Sequence, residues 1–415
     1  MAEIRPFRGI IYNREKVGDL DLVTAPPYDI ITPELQERLY QLSPYNIVRL
    51  DLGKEYPDDI PENNRYTRAS AYLDDWLKEG ILKRDESESI YIYQMDYLSP
   101  KGVKKTLRGF VCLVKIEELG AGVILPHENT YLGPRVDRLN LLRSTRANLS
   151  LIFSLYPDEG RISKIIKKIN QEDSALKTKA NERSVHNLWA IKDISVIEEI
   201  VKEMKNRPIF IADGHHRYET AFLFRDEMRK KGENGYDYVM MFLADIDEEG
   251  LTILPTHRLV RNILIPDNEK IITAIQKDLE VTPVQRKELM LRGLEESTHH
   301  SFGMYMNGAY YLLRLKDRVI ESLNLPDALK GLDAAILHYL LFEKDLKVKS
   351  GDFDYERDVD EVIKKIDSGN FKIAFFMNPP KVKEVKEIAL SNERMPPKTT
   401  FFYPKLLTGM VINKF

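Results

Sequence analysis

Apolar residues change their spacing many times along this chain, and each change predicts an element. After Thr32-Pro33-Glu34, Leu35, Leu39 and Leu42 recur at helical spacing. A threonine before proline starts a helix well: its hydroxyl caps the first amides, and proline has no amide to leave unpaired. "YNIVRLDLG" alternates and predicts a strand. Ala69, Tyr72, Leu73, Trp76 and Leu77 return to helical spacing, and Gly80 ends the run. "SIYIYQMDYL" and "KKTLRGFVCLVKI" alternate on either side of "SPKG", which predicts a hairpin.

Further on, "GVILP" predicts a strand entering a loop, then an arginine-rich helix and a strand "LSLIFSLY". "HNLWAI" is strand-like and "ISVIEEIVKEM" amphipathic. "RPIFIADGHHRYETAFLFRDEMRKK" reads as strand, turn and long helix, and "DYVMMFLADI" and "LTILPTHRLV" as strands. Residues from about 262 to 345 look mainly helical. "KIAFFMNPP", a charged helix from about 381 to 391, and "MPPKTTFFYPKLLTGMVINKF" close the chain. This mixed order predicts the α+β class and excludes all-α and all-β folds. At 415 residues the chain exceeds one ordinary core. Three regions are expected: 1–95 as an N-terminal α/β region, 96–261 as a central core, and 262–415 as a C-terminal α/β region.

Composition narrows the function classes. Lys plus Arg (62) nearly balance Asp plus Glu (65), for a net charge of -3. That supplies no general basic field and argues against nucleic acid as the partner. The single cysteine, Cys112, lies in an apolar run, so neither an intramolecular disulfide nor a cysteine-based zinc site is expected. No stretch approaches 18 apolar residues, and "MAEIRPFRGI" has no leader-like apolar segment. A soluble, cytoplasmic protein is the expectation.

The densest chemistry lies in "FIADGHHRYETA". A strand ending at Ile211 is followed by Asp213, Gly214, His215, His216 and Arg217, and then by a helical pattern. A helix N-terminus attracts anions through its outward amides and dipole. Gly214 permits close backbone approach, Arg217 can grip a phosphate or carboxylate, and the histidines can donate or carry a proton. The bland alternative is that Asp213 simply caps the helix. "VILPHENT" places His127 and Glu128 together at a strand end, where a carboxylate could take a hydroxyl proton or form a surface ion pair.

Arg135, Arg138, Arg143 and Arg146 crowd one short segment. Such cations need an anionic ligand, RNA or an acidic helix to neutralise them. "LPTHRLV", with Thr256, His257 and Arg258, and "PPKTTFFYPK", with Lys398 and Lys405, are weaker sets that could bind a carboxylate or phosphate or lie at the surface. Adjacent histidines without HxH or HxxxH spacing do not make a metal motif.

"APPYDII", "RYTRASAYLDDWLKEGIL", "LPHENT", "IADGHHRYETA", "LPTHRL" and "MPPKTTFFYPKLLTG" together resemble the DUF1015 family, in order over essentially the whole chain. Locally, a strand followed by DGHHR, with an upstream I-x-P-H-E-like element, resembles the ParB/sulfiredoxin superfamily. Within it, the pattern is similar to free L-serine kinases. The resemblance implies a ParB/sulfiredoxin-like catalytic core over 96–261, with mixed sheets and flanking α/β regions. It implies transfer of a phosphoryl group to the hydroxyl of L-serine.

Glu128 would be the base, and Asp213 would place Mg²⁺ or the hydroxyl. Gly214, His215, His216 and Arg217 would cradle the donor phosphates, with His216 also in a catalytic role. Arg138, Arg143 and Arg146 would add phosphate contacts, and His127, Thr256, His257 and Arg258 substrate contacts. The donor is open among ATP, ADP and pyrophosphate; the many cations lean towards pyrophosphate.

The 84 residues between Glu128 and Asp213 exceed the spacing of compact serine kinases. No Walker-type, kinase H-R-D or G-x-G-x-x-G motif occurs. Sulfiredoxin chemistry needs a cysteine in the turn, and Cys112 is far from it. A ParB-like nucleotide-binding regulator and a phosphate-ester or nucleotide hydrolase are the alternatives.

Overall fold

The structure is a computed structural model of the chain. It describes residues 2–118, 122–128, 132–168, 176–181, 183–263, 265, 267–297, 300–348 and 351–415. Contacts group the chain into two compact units. The first comprises Met1–Pro126, Thr130–Thr252 and Tyr403–Phe415, the second His127–Asn129 and Ile253–Phe402.

The first unit is built on a sheet of nine strands among the described residues. In chain order they are β1 (Ile4–Arg5), β2 (Ile90–Leu98), β3 (Lys104–Lys115), β4 (Ile124–Pro126), β5 (Ile152–Tyr156), β6 (Leu176–Asn181), β7 (Ser184–Ile191), β8 (Ile209–Asp213) and β9 (Tyr238–Asp245). Their order across the sheet is β4-β8-β5-β9-β3-β2-β7-β6, with β1 added on β3. The expected hairpin is present as β2 and β3, antiparallel with Tyr93 opposite Gly109. Two pairs are parallel, β4 with β8 and β5 with β9, so the sheet is mixed and the class is α+β.

Ile92, Phe110, Cys112, Ile152, Ile211, Met241 and Leu243 fill one side of this sheet's core. Cys112 is a free buried thiol, and burial pushes its pKa up. Central strands buried on both faces explain the near-continuous apolar runs such as "VMMFLA".

Helices α1 (Pro33–Leu42), α2 (Arg65–Lys78), α3 (Leu132–Thr145), α4 (Ile194–Met204) and α5 (His215–Lys230) belong to the same unit. Thr32 caps α1 through its hydroxyl, which accepts from the Leu35 amide. Asn64 and Thr67 form a reciprocal capping box at the start of α2, whose face of Ala69, Leu73 and Trp76 is buried. α3 packs on α5, with Leu142 against Phe224 and Met228.

One expectation fails and a second holds only in part. "YNIVRLDLG" does not form a strand: Val48–Asp51 is a single helical turn. Asn46 accepts from the Val48 amide and donates to Leu22 and Thr24 carbonyls, which curls the segment. Ile47, Val48 and Leu50 are all buried, so the alternation did not separate an inner from an outer face.

The region from 262 to 345 holds more helix than strand, as expected, but it is not helical throughout. It contributes three strands to the second unit's six-stranded sheet, whose pairings are all antiparallel. The six strands of that sheet are β10 (His257–Val260), β11 (Leu279–Val284), β12 (Ser301–Met306), β13 (Ala309–Leu315), β14 (Phe353–Glu356) and β15 (Ile373–Phe376), in the order β11-β13-β12-β15-β10-β14, and β11, β12 and β13 are the three from this region. α6 (Lys287–Glu295) and α7 (Val359–Asp367) cover it through Met290, Leu294, Val362 and Ile366. α8 (Val382–Leu390) is the charged helix expected near 381–391. No helix among the described residues is long and apolar enough to cross a membrane.

Candidate functional site

Strand β8, between β4 and β5 in the first unit's sheet, ends at Asp213, and Gly214 turns the chain into α5. Gly214 is the N-cap, at φ 95 and ψ 27 in the left-handed region, and no side chain caps the helix. Asp213 is therefore not the helix cap. Its two oxygens face cations instead: Oδ2 lies 3.1 Å from Arg217 Nη2 and Oδ1 lies 3.2 Å from Lys405 Nζ. Burial alone would raise the Asp213 pKa. Lys405 and Arg217 outweigh it and hold the carboxyl well below the usual carboxylate range. Lys405 is only 9 % exposed, so this charge pair is set inside the unit.

Arg217 folds back over its own turn. Nη1 donates to the Leu151 carbonyl, and Nε, buried, has no hydrogen-bond acceptor among the described residues. A β-carbon at position 214 would meet Arg217 Nε at 2.9 Å. Gly214 thus serves twice, for the positive φ and for the seat of the guanidinium. Gly214→Ala should cost about 1 to 3 kcal/mol, the usual range for a side chain held in a sparsely allowed backbone conformation. Denaturant unfolding followed by tryptophan fluorescence checks it, since Trp76 and Trp189 both lie in the first unit. A loss under about 0.5 kcal/mol, the scale of an ordinary surface substitution, would contradict the turn geometry.

Strands β4 and β8 end side by side, with Pro126 opposite Ile211.

The arginine cluster has a different outcome from the phosphate contacts expected of it. Arg143 pairs with Glu227 at 2.8 Å, Arg146 with Glu233 at 2.6 Å, and Arg135 with Glu219 at 3.0 Å. Of the partners left open for these cations, α5 and the loop after it supply acidic ones. Arg146 lies past the end of α3, with φ 49, so it does not share that helix face. Arg138 is buried against Asp51 at 3.0 Å and stacks over Tyr28, 4.1 Å from the ring centroid. Burial, chiefly, pushes Tyr28 up to about 12. Arg138 is thus a core ion-pair partner, and Arg143 and Arg146 are surface ones.

His127, Glu128, Thr256, His257, Arg258 and Lys398 belong to the second unit. His127 is fully buried, with Nε2 2.9 Å from Thr400 Oγ1. Glu128 Oε1 accepts from the Lys398 amide at 2.9 Å. Thr256, His257 and Arg258 are buried, not surface residues. His257 Nδ1 accepts from the Met377 amide at 3.3 Å, and burial lowers its pKa to about 4. Arg258 Nη1 donates to the Thr256 carbonyl and approaches Met377 Sδ at 2.9 Å. Burial brings its pKa down to about 10.

Asp213 does not fit the metal role expected of it, because both of its oxygens already face a cation. No group of three or more His, Cys, Asp or Glu side chains among the described residues could hold a metal ion. Lys405 was legible only as a weak terminal cation; its place at Asp213, 192 positions earlier, leaves no local signal. Asp51 and Tyr28 were missed for the same reason: nothing in their own neighbourhoods marks burial beside Arg138.

No curated protein matches this chain. Among solved structures, a conserved hypothetical protein from Pyrococcus furiosus is similar at 13% identity and a TM-score of 0.33, over 67% of this chain and 86% of that one. A free serine kinase in complex with AMP is similar at 13% identity and a TM-score of 0.37, over 70% and 88%. SbnI with a C-terminal truncation, from Staphylococcus aureus, is similar at 13% identity and a TM-score of 0.38, over 72% and 85%. Likenesses this distant leave the chemistry of the chain to its own residues. A family model described as a protein of unknown function, DUF1015, matches residues 4–335, and the chain belongs to that family.

Proposed function

We propose that the chain is a small-molecule phosphotransferase that moves a phosphoryl group from pyrophosphate, ADP or ATP to the hydroxyl of free L-serine. The observation that carries this reading is the Gly214 turn. An uncapped N-terminus of a 16-residue helix carries a half-buried Arg217 whose Nε is buried with no acceptor among the described residues, and Lys405 lies opposite across Asp213. Two cations around one carboxylate leave a net positive charge at a helix start, which suits phosphate oxygens. The DGHHR pattern, which resembles the donor-phosphate turn of free L-serine kinases, supports the same assignment.

In this reading the serine hydroxyl oxygen bonds to the terminal phosphorus while the bond to the leaving phosphate or nucleotide breaks. The hydroxyl proton passes to Glu128, and the leaving group takes the electron pair and the negative charge. Its charge would be met by the first-turn amides, Arg217 and the histidine pair, with His216 as the proposed donor of the returning proton. Asp213 orients Arg217 and Lys405. Mg²⁺ is assigned to the donor phosphates as their counter-ion and not to Asp213. Phosphoryl transfer asks the protein mainly for positioning and charge neutralisation, which this set can supply.

The test is a donor-by-acceptor screen of the purified chain with Mg²⁺. ATP, ADP and pyrophosphate are each offered with L-serine and related hydroxy compounds, and products are read by mass. O-phospho-L-serine is the expected product. Phosphate release without an acceptor product would make water the acceptor and overturn the kinase reading. No turnover with any pair would overturn it as well. Arg217→Ala should lower kcat/KM for the donor about 10- to 100-fold, the range for losing charged hydrogen bonds.

A further inference from the structure

The second unit contains a cavity of about 310 Å³, all of whose lining residues belong to that unit. Arg258, His300, Asp333, Lys381, Glu384 and Thr399 supply its polar walls. Arg258 is 4 % exposed, and its Nη2 has no hydrogen-bond acceptor among the described residues. A guanidinium cannot shed its charge at ordinary pH, so a buried donor without an acceptor is destabilising until an anion meets it. The opposite sign is also present. Asp333 Oδ1 lies 2.6 Å from His300 Nδ1, and Glu384 Oε2 accepts from the Lys381 amide at 3.0 Å.

We infer that this pocket binds a free α-amino acid, its carboxylate on Arg258 and its ammonium towards Asp333 and Glu384. Walls of both signs fit a zwitterion better than a phosphate, whose several negative charges would meet two carboxylates. The volume lies at the small end of ligand pockets, about 300 to 1,000 Å³, which suits a metabolite of this size. Thr399, on the wall, follows Lys398, whose amide holds Glu128 Oε1. The Glu128 charge also acts on Arg258. A hydroxyl-bearing amino acid here would be the acceptor for that carboxylate, and this clause alone rests on the phosphotransferase reading.

Calorimetric titration of the full chain with L-serine, without donor or metal, tests the pocket. Ethanolamine and 3-hydroxypropionate, each lacking one of the two charges, serve as controls. L-Serine should bind at least tenfold more tightly than either control. Arg258→Met should weaken it about 10- to 100-fold, as for a lost charged hydrogen bond. Glu384→Gln, which keeps an oxygen for the Lys381 amide, should weaken it at least threefold, and it decides the matter if Arg258→Met does not fold. Equal binding of the controls, or serine affinity unchanged in Glu384→Gln, overturns the inference. So does phosphorylation of serine with an unchanged KM in that variant, which would leave the phosphotransferase reading standing. Serine binding at this pocket with no transfer from any donor would have the opposite meaning: the pocket stands and the kinase reading falls.

Discussion

Glu128→Gln should lower kcat for serine phosphorylation by about 10²- to 10⁴-fold, the usual contribution of a positioned general base. The carboxylate oxygen that accepts from the Lys398 amide has a counterpart in the glutamine side chain, so the local structure should survive the change. What is lost is only the capacity to take a proton. Donor affinity should therefore stay within a few-fold of the parent, and the loss should appear in kcat. Thermal melting and donor titration on the same preparation separate these effects. A variant that keeps near-parental turnover would mean that the base lies elsewhere, and would leave the Gly214 turn as the anchor of the reading.

The second large effect concerns stability. Arg138 and Asp51 are 6 % and 3 % exposed and pair at 3.0 Å, and Arg138 also donates to the Asp51 carbonyl at 2.8 Å. Burial is the main cause that raises the Asp51 pKa, even with Arg138 and Arg217 working against it. Removing the arginine leaves that carboxylate in the interior without its direct partner. Arg138→Met should therefore destabilise the first unit by about 3 to 5 kcal/mol, the range for breaking a buried pair from one side. Replacing both partners should be much milder: Arg138→Met with Asp51→Asn removes the buried charge along with its counter-ion. Denaturant unfolding followed by the two tryptophans reads both variants. If the single variant lost less than about 1 kcal/mol, near the centre of ordinary point mutations, Arg138 would not be the structural ion the geometry describes. It would then return to the list of phosphate ligands.

Much of the fold and one part of the candidate site could be read from local pattern. The Thr32-Pro33 start, the Ala69 to Trp76 face and the β2–β3 hairpin all follow from near-neighbour physics, namely caps, periodicity and turn chemistry. The strand–glycine–helix form of residues 209–230 does so too, because Gly214 is demanded by a positive φ at a helix start. Where the alternation of "YNIVRLDLG" misled, a side-chain cap and burial on all sides had replaced the one-faced burial that the pattern assumes.

By itself the sequence determined the α+β class, the DGHHR turn, and the grouping of reactive residues around Glu128 and around Asp213. Only the tertiary structure decided which charges meet. Arg138, Arg143 and Arg146 could have faced a ligand, but carboxylates from distant stretches neutralise them. Lys405 reaches Asp213 because the last thirteen residues, Tyr403–Phe415, return to the first unit. A charge carries no address in a linear chain. Its partner is set by which segments the apolar core brings within a few ångströms, and burial then decides whether that pairing is worth tenths of a kcal/mol or several.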